Sequence, residues 1–220
     1  MSLFHAAESD PDFDQRRGMV EAQIRKRGIR DGRVLEAMLQ VPRHEFVAED
    51  YKSQAYEDHP VPIGESQTIS QPFIVAASLQ ALSLRGTETV LEVGTGSGYQ
   101  AALLAMLARE VYSIERHAAL AHTAENILTK LGVNNVKIVV GDGTHGLPDF
   151  APYDAILVSA AAPSIPQSLF DQLADEGRMV IPVGPPQAQE LQLLRKRKGQ
   201  AVVDVIEGCR FVPLIGAEGY

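Results

Sequence analysis

The chain of 220 residues is 45% hydrophobic and 22% charged, as expected for a folded globular domain, and no apolar run is long enough to cross a bilayer. Its net charge of −8 argues against a nucleic-acid partner, whose phosphates would be repelled. A single cysteine, Cys209, and an acidic N-terminus unlike a signal peptide predict a cytoplasmic protein with no disulfide and no zinc cluster.

The N-terminal third is predicted to be helical and to end in an irregular loop. Apolar residues at helical spacing favour two helices between positions 12 and 41, separated by Gly28. Proline and glycine residues predict a loop from 42 to 64, and a further helix is predicted over 72–84. Ser70 lies just before that helix, and its spacing favours a role as the N-cap.

Strands alternate with helices from position 89 onward. This alternation implies βαβ units, and therefore a mostly parallel sheet that is doubly wound by helices. After it, two strand-like runs flank Lys198, Gly199 and Gln200, and so short a turn connects only antiparallel neighbours. The predicted fold class is α/β, with an antiparallel C-terminal hairpin and additional N-terminal helices. The predicted strands read TVLEVG, VYSIE, VKIVVGDG, YDAILVSAAAP and RMVIPVG.

The first of these strands ends in a glycine-rich turn, GTGSG, which predicts a ligand site. Gly94, Gly96 and Gly98 let the backbone turn tightly and approach a ligand without an intervening Cβ. A dinucleotide fingerprint would place the third glycine one residue later. A tight strand-to-helix turn without any ligand is the alternative interpretation of this segment.

Acidic residues end the next two strands. Glu115 ends the second strand, where a carboxylate is able to accept hydrogen bonds from both hydroxyls of a ribose. Asp142 and Gly143 end the third. Each signal alone has a simpler interpretation: Glu115 would be an exposed acid at a strand end, and Asp142-Gly143 would be a simple turn. Because these strand ends share one edge of a parallel sheet, together they predict an adenosine site.

The turn led by Glu92 is similar to the first motif of methyltransferases that use S-adenosyl-L-methionine (AdoMet). That resemblance implies AdoMet as the cofactor and S-adenosyl-L-homocysteine as its product. Amine methylation commonly uses an NPPY-like tetrad, whereas this strand continues with SAAAP at 159–163. A carboxylate acceptor, with a pKa of ~4, is already anionic and requires neither a general base nor a metal.

The segment PIGESQTISQP, at 62–72, closely resembles the signature loop PIGxGQTISxP of protein-L-isoaspartate O-methyltransferases. Further blocks of that family, including SAAAP and RFVPLIG, follow in order, and the resemblance covers about 41–216. It implies a Rossmann-like AdoMet methyltransferase fold in a single domain over 1–220, in which 1–70 form an N-terminal helical extension and the signature loop. It also implies repair: methylation of the α-carboxyl of L-isoaspartyl residues, followed by cyclisation to a succinimide.

The resemblance further implies the roles of individual residues. Ser70 corresponds to the active-site serine, whose hydroxyl would hold the acceptor carboxylate or the cofactor. The implied partners are isoaspartyl peptides and flexible or unfolded protein segments, and the family is usually monomeric. The implied cofactor-binding residues are Thr68, Ile69, Glu92, Gly94, Thr95, Gly96, Ser97, Gly98, Glu115, Arg116, Asp142 and Gly143. The implied substrate-binding residues are Gln67, Ser70, Ser159, Ala160, Ala161, Ala162, Pro163, Val212, Pro213 and Leu214.

Simpler interpretations and other functions remain open at this stage. The small residues at 159–163 would also allow close packing, and 212–214 would also serve as a terminal strand of the core. Ser66 replaces the usual glycine of the signature loop and would restrict it if φ must be positive. One alternative function is therefore a non-catalytic AdoMet-binding module. A second is methylation of another carboxylate, and an NAD-dependent dehydrogenase is opposed by GTGSG.

Overall fold

The computed structural model describes residues 12–220, so the acidic N-terminal segment at 1–11 lies outside the described part. In that part, no helix is both long enough and apolar enough to span a membrane. Its α-helices are α1 (Phe13–Met19), α2 (Gly32–Gln40), α3 (Pro72–Leu82), α4 (Tyr99–Leu107), α5 (Ala118–Lys130) and α6 (Gln167–Gln172). Its strands are β1 (Val61–Gly64), β2 (Gln67–Ile69), β3 (Thr89–Val93), β4 (Glu110–Glu115), β5 (Val136–Val140), β6 (Tyr153–Val158), β7 (Leu173–Val183), β8 (Gln189–Arg197) and β9 (Gln200–Cys209).

The N-terminal segment folds as the predicted pair of helices. Helix α1 continues through a π-helical segment, Val20–Ile24, and a 3₁₀ turn, and ends at Gly28. The φ of 102° at Gly28 is readily adopted only by glycine. Asp31 then caps α2 by accepting hydrogen bonds from the backbone N–H groups of Arg33 and Val34. The prediction of two helices separated by Gly28 is confirmed.

A seven-stranded sheet with the order β5-β4-β3-β6-β7-β8-β9 forms the centre of the described chain. Neighbouring strands from β5 to β7 are parallel, whereas β8 and β9 run antiparallel to their neighbours. A turn at Lys198 and Gly199 joins these last two strands. The strand order reverses between β3 and β6, which are adjacent in the sheet. The predicted α/β class and the antiparallel C-terminal hairpin are confirmed.

Alternate residues of the central strands face two separate parts of the core. In β3, Val90 belongs to one apolar cluster, whereas Leu91 and Val93 belong to the other. This alternation follows from the two-residue period of a strand. Helices α1 to α4 contribute to the Val90 cluster, and α6 contributes Leu169 to the Leu91 cluster. Both faces are therefore covered, which explains why these strands read as nearly continuous apolar runs.

Helix α3 begins at Pro72, as predicted, and ends two residues early at Leu82, where Ser83 adopts a left-handed conformation with φ 49°. Its N-cap is Gln71, which makes no capping hydrogen bond through its side chain. The prediction that Ser70 caps this helix is therefore wrong. Pro72 lacks an N–H group and has a φ suited to a helix, so the first turn has one donor fewer to satisfy.

A short β-hairpin begins within the segment predicted as an irregular loop, because β1 lies inside 42–64 and β2 follows it. Strands β1 and β2 pair antiparallel, and Glu65 and Ser66 form the connecting turn with φ of 50° and 57°. Positive φ at both central residues defines a type I′ turn, which favours glycine. Ser66 therefore has the positive φ that was expected to strain a serine in place of the usual glycine. The hairpin nevertheless forms, so the serine strains the turn without abolishing it.

We expect the Ser66→Gly variant to unfold at a higher urea concentration than the wild type. Glycine avoids the cost of about 1 kcal/mol that a Cβ incurs in the left-handed conformation, and Ser66 is exposed. The matched control is Ser53→Gly, because Ser53 is also exposed but lies in a right-handed 3₁₀ segment, Glu49–Gln54. The control should lose stability. Equal shifts of the urea midpoint in both variants would contradict the assignment of strain to Ser66.

Candidate active site

The carboxyl ends of β3, β4 and β6 border a cavity of about 830 Å³ that is open to solvent. Ligands of open parallel sheets bind at this position, where the strand order reverses. The predicted site residues that line the cavity are Gln67, Thr68, Ile69, Ser70, Gly94, Thr95, Gly96, Ser97, Glu115, Arg116, Gly143, Ser159, Ala160, Val212, Pro213 and Leu214.

Some predicted site residues do not line this cavity. Gly98 instead allows α4 to approach α5, since a Cβ on it would lie 3.0 Å from the Cβ of Ala124. The Asp142 carboxylate accepts hydrogen bonds from the backbone N–H groups of Thr144 at 2.9 Å and Ala217 at 3.0 Å. Asp142 thus stabilises the turn after β5, which is its simpler interpretation. The predicted residues away from the cavity wall are Glu92, Gly98, Asp142, Ala161, Ala162 and Pro163.

The C-terminal segment pairs with the residues that follow β6. Ala161 donates its N–H to the carbonyl of Val212 at 2.8 Å and accepts from the N–H of Leu214 at 2.7 Å. Ala161 and Ala162 are completely buried, and Pro163 is exposed beyond them. Burial and pairing support the close-packing interpretation for the two alanines, and their contact with substrate stays a prediction. Residues 212–214 both complete the core and line the cavity.

The turn between β3 and α4 presents backbone rather than side chains to the cavity. Gly94 and Gly96 have φ of 92° and 53°, in the region that favours glycine. A Cβ on Gly96 would lie 3.3 Å from Ile63 Cδ1 of the hairpin, and a Cβ on Gly94 would lie 3.5 Å from Ser159 Cβ. The hairpin and the end of β6 thus close around the turn. Glycine at these positions leaves the space that a ligand needs.

Glu115, at the end of β4, connects the glycine turn to the beginning of α5. Its Oε2 accepts from the Gly96 N–H and its Oε1 from the His117 N–H, both at 2.9 Å. A carboxylate offers about four acceptor positions, so two remain for the hydroxyls of a ligand. His117 also lines the cavity, and its Nδ1 lies 3.5 Å from Glu65 Oε2 in the hairpin turn.

Glu92 lies beneath the glycine turn with no exposed surface. Its Oε2 accepts from Ser113 Oγ at 2.5 Å, and that hydroxyl lies 2.5 Å from Thr95 Oγ1. Burial raises the pKa of Glu92 to about 8, so the side chain is mostly a neutral acid at pH 7. Glu92 does not line the cavity, and its predicted contact with the cofactor stays a prediction. The buried acid instead supports the turn from below, through Ser113 and Thr95.

Ser70 lies on the wall of the cavity and is held by its backbone. The buried guanidinium of Arg43 donates from Nη2 to the Ser70 carbonyl at 2.9 Å. No residue in the described range 12–220 hydrogen-bonds the Ser70 hydroxyl. The hydroxyl is therefore available to a ligand, and the role that the signature loop implies for it stays a prediction.

A second cavity, of about 770 Å³, adjoins the first. The two share four lining residues, Thr68, Ser70, Ser159 and Val212, so they meet at these side chains. Sequence reasoning missed the remainder of this wall, although part of it belongs to the signature loop and the RFVPL block. The residues that line only the second cavity are Pro60, Gln71, Ile74, Gly208, Cys209, Arg210 and Phe211.

Gln100 is a residue of the first cavity that sequence reasoning also missed. It lies in the first turn of α4, and its Nε2 donates to Ser159 Oγ at 2.5 Å. Its position in the first turn after the glycine turn was a usable signal, because helix N-termini of this kind lie next to the ligand. Within 12–220, no group of three or more His, Cys, Asp or Glu side chains is placed to hold a metal ion. Other lining residues that were not predicted are Val75, Val93, Tyr99, Ile114, His117 and Ile215.

The sheet order and the cavity at its carboxyl edge define a Rossmann-like methyltransferase fold. The chain belongs to the protein-L-isoaspartate(D-aspartate) O-methyltransferase family, whose model matches residues 14–219. A relative from Koribacter versatilis is 55% identical over 202 residues, which are 92% of this chain and 91% of the relative. A relative from Methanoculleus marisnigri is 54% identical over 213 residues, 97% of each chain. Both are named protein-L-isoaspartate O-methyltransferase.

Solved structures of the same family share the fold. One protein-L-isoaspartate O-methyltransferase matches with a TM-score of 0.83 and 31% identity, covering 93% of this chain and 67% of that one. A second, from Plasmodium falciparum and in complex with S-adenosyl-L-homocysteine, matches with a TM-score of 0.80 and 29% identity. That match covers 91% of this chain and 98% of the Plasmodium chain. The predicted family is confirmed.

We expect Glu92→Gln to stabilise the protein increasingly as pH rises from 5 to 8. The folded pKa of Glu92 is raised from 4.5 to about 8, so above pH 4.5 only the unfolded carboxyl ionises and wild-type stability falls. That loss amounts to about 1.4 kcal/mol per pH unit, and a neutral glutamine does not incur it. The measurement is the free energy of unfolding of both proteins across this pH range. A difference that stays constant with pH would mean that Glu92 is ionised in the fold.

Proposed function

We propose that this protein transfers the methyl group of AdoMet to the α-carboxyl of L-isoaspartyl residues in damaged proteins. The observation that carries the proposal is the meeting of two cavities at Ser70 and Ser159, one of them at the carboxyl edge of the sheet. One cavity would bind the cofactor and the other the acceptor, and the two would react where the cavities meet. The activity named for the relatives supports this assignment.

The first cavity has the features that an AdoMet site requires. The glycine turn offers backbone at Gly94 and Gly96, where a Cβ would come close to Ile63 or Ser159. Glu115 keeps acceptor positions for ribose hydroxyls, and Gly143 lines the wall after β5. The S-adenosyl-L-homocysteine in the Plasmodium relative supports the same choice of cofactor. The remaining cofactor-binding residues named from the sequence stay predictions.

Methyl transfer to a carboxylate asks the protein mainly for alignment. When bound, AdoMet supplies a methyl group carried on a sulfonium. The sulfur leaves as a neutral thioether, which needs no protonation. An anionic acceptor also needs no general base at neutral pH. The hydroxyls of Ser70 and Ser159 are placed to hold the acceptor where the cavities meet, so their contribution is orientation. The resulting ester cyclises to a succinimide, which can reopen as normal aspartate.

The second cavity suits an extended peptide. A net charge of −8 opposes long-range attraction of an acidic acceptor, so recognition must depend on local groups. Arg210 lines this cavity and supplies positive charge there. Because an isoaspartyl site must reach the shared residues at the junction, the substrates are flexible or unfolded segments. We further propose a monomer that functions as a single domain in the cytoplasm, as the sequence predicts.

The deciding experiment is methyl transfer from radiolabelled AdoMet to two peptides that differ only in L-isoaspartate or L-aspartate at one position. We expect base-labile label on the isoaspartyl peptide alone, because esters of this kind hydrolyse in alkali. Label on free carboxylic acids but on neither peptide would indicate another acceptor. AdoMet binding without label on any acceptor would indicate a non-catalytic module.

We expect Glu115→Ala to weaken AdoMet binding by about 1–3 kcal/mol, because the ligand loses a charged hydrogen-bonding partner. Calorimetric titration of AdoMet measures the effect directly. The matched control is Glu110→Ala, since Glu110 begins the same strand but is exposed and does not line the cavity. Equal affinities for the Glu115 variant and the wild type would refute this placement of the ribose.

A further inference from the structure

Ser159 lies where the two cavities meet, and its hydroxyl has a defined partner. Its backbone N–H donates to the carbonyl of Val93 at 2.8 Å, which fixes the residue at the carboxyl edge of the sheet. Its side chain lines both cavities. Gln100 Nε2 donates to Ser159 Oγ at 2.5 Å. A hydroxyl that accepts a hydrogen bond in this way retains its own proton for another acceptor.

The direction of that hydrogen bond depends on the other neighbour of Gln100. Gln100 also lowers the pKa of the buried carboxyl of Glu92, although no hydrogen bond joins the two side chains and Glu92 Oε1 has no hydrogen-bond partner among the described residues. An ionised Glu92 would compete with Ser159 Oγ for the two hydrogens of the amide nitrogen. Burial raises the pKa of Glu92 to about 8, against smaller effects of Ser113 and Gln100 that lower it. The neutral acid does not compete for the nitrogen, which is free to face Ser159.

We propose that Gln100 is a positioning residue that directs the Ser159 hydroxyl to donate its proton to the acceptor carboxylate. This inference rests on the proposed function of the site. A carboxylate only accepts hydrogen bonds, so a reversed amide would draw the Ser159 proton away from it. Hydrogen bonds to an ionised acceptor are the stronger ones. Directed donors of this kind let a protein of net charge −8 hold an anionic substrate.

The test is a double-mutant cycle of Gln100→Met and Ser159→Ala. An isoaspartyl peptide is titrated by calorimetry into each protein loaded with S-adenosyl-L-homocysteine, so binding is measured without turnover. We expect peptide binding to weaken roughly tenfold for Ser159→Ala and about fivefold for Gln100→Met. The double variant should bind no more weakly than Ser159→Ala alone, because Gln100 acts through that hydroxyl. Ser159→Thr, which keeps a hydroxyl, should bind like the wild type.

Because Gln100 and Ser159 also line the first cavity, the comparison is between two affinities: each weakened variant should lose more affinity for the peptide than for S-adenosyl-L-homocysteine. Equal losses of both affinities would indicate a general structural effect and overturn the proposal. Additive losses in the double variant, or wild-type peptide affinity in Gln100→Met, would overturn it as well. If the wild type methylates the peptide while the variants bind it equally well, the role of Gln100 is refuted and the proposed function stands. A wild type that neither binds nor methylates the peptide refutes the function itself.

Discussion

A fully buried guanidinium connects the signature loop to the helix that follows the glycine turn. Arg43 donates from Nε to the Ala55 carbonyl at 2.7 Å and from Nη2 to the Ser70 carbonyl at 2.9 Å. It also lies over the ring of Tyr99, the first residue of α4, at 4.9 Å from the centroid. Burial lowers the pKa of Arg43 to about 10, which leaves it charged at neutral pH. A buried charge without partners is costly, so breaking these contacts is unfavourable. Arg43 therefore holds Ser70 in a fixed position relative to α4.

Glu115 and Glu92, on neighbouring strands, have different roles because they are buried to different depths. Glu115 ends β4 at the cavity wall, where its carboxylate binds backbone N–H groups and retains acceptor positions. Glu92 lies within β3, beneath the turn, and burial keeps it mostly neutral. The neutral acid supports the glycine turn through Ser113.

Whether a site residue could be predicted depended on whether neighbouring residues in the sequence indicate its position. The glycines of the turn and Glu115 were predictable, because a strand end places them at the carboxyl edge whatever the packing around them. Ser70 was misread as a helix cap, since the effect of Pro72 on the first turn outweighed the usual preference for serine. Ala161 and Ala162 were assigned to substrate although pairing with the C-terminal segment buries them. That pairing joins positions distant in the chain, and no local pattern reveals it.

The sequence by itself determined the α/β class, the glycine turn, the acid at the end of β4 and the family, because these depend on periodicity and on motifs of contiguous residues. Only the tertiary structure decided which residues line the cavities. The meeting of the cavities at Ser70 and Ser159, and the contact of Ser159 with Gln100, join residues from separate parts of the chain. The protonation of Glu92 was likewise decided by folding, since a carboxyl becomes neutral at pH 7 only when the surrounding chain removes it from water.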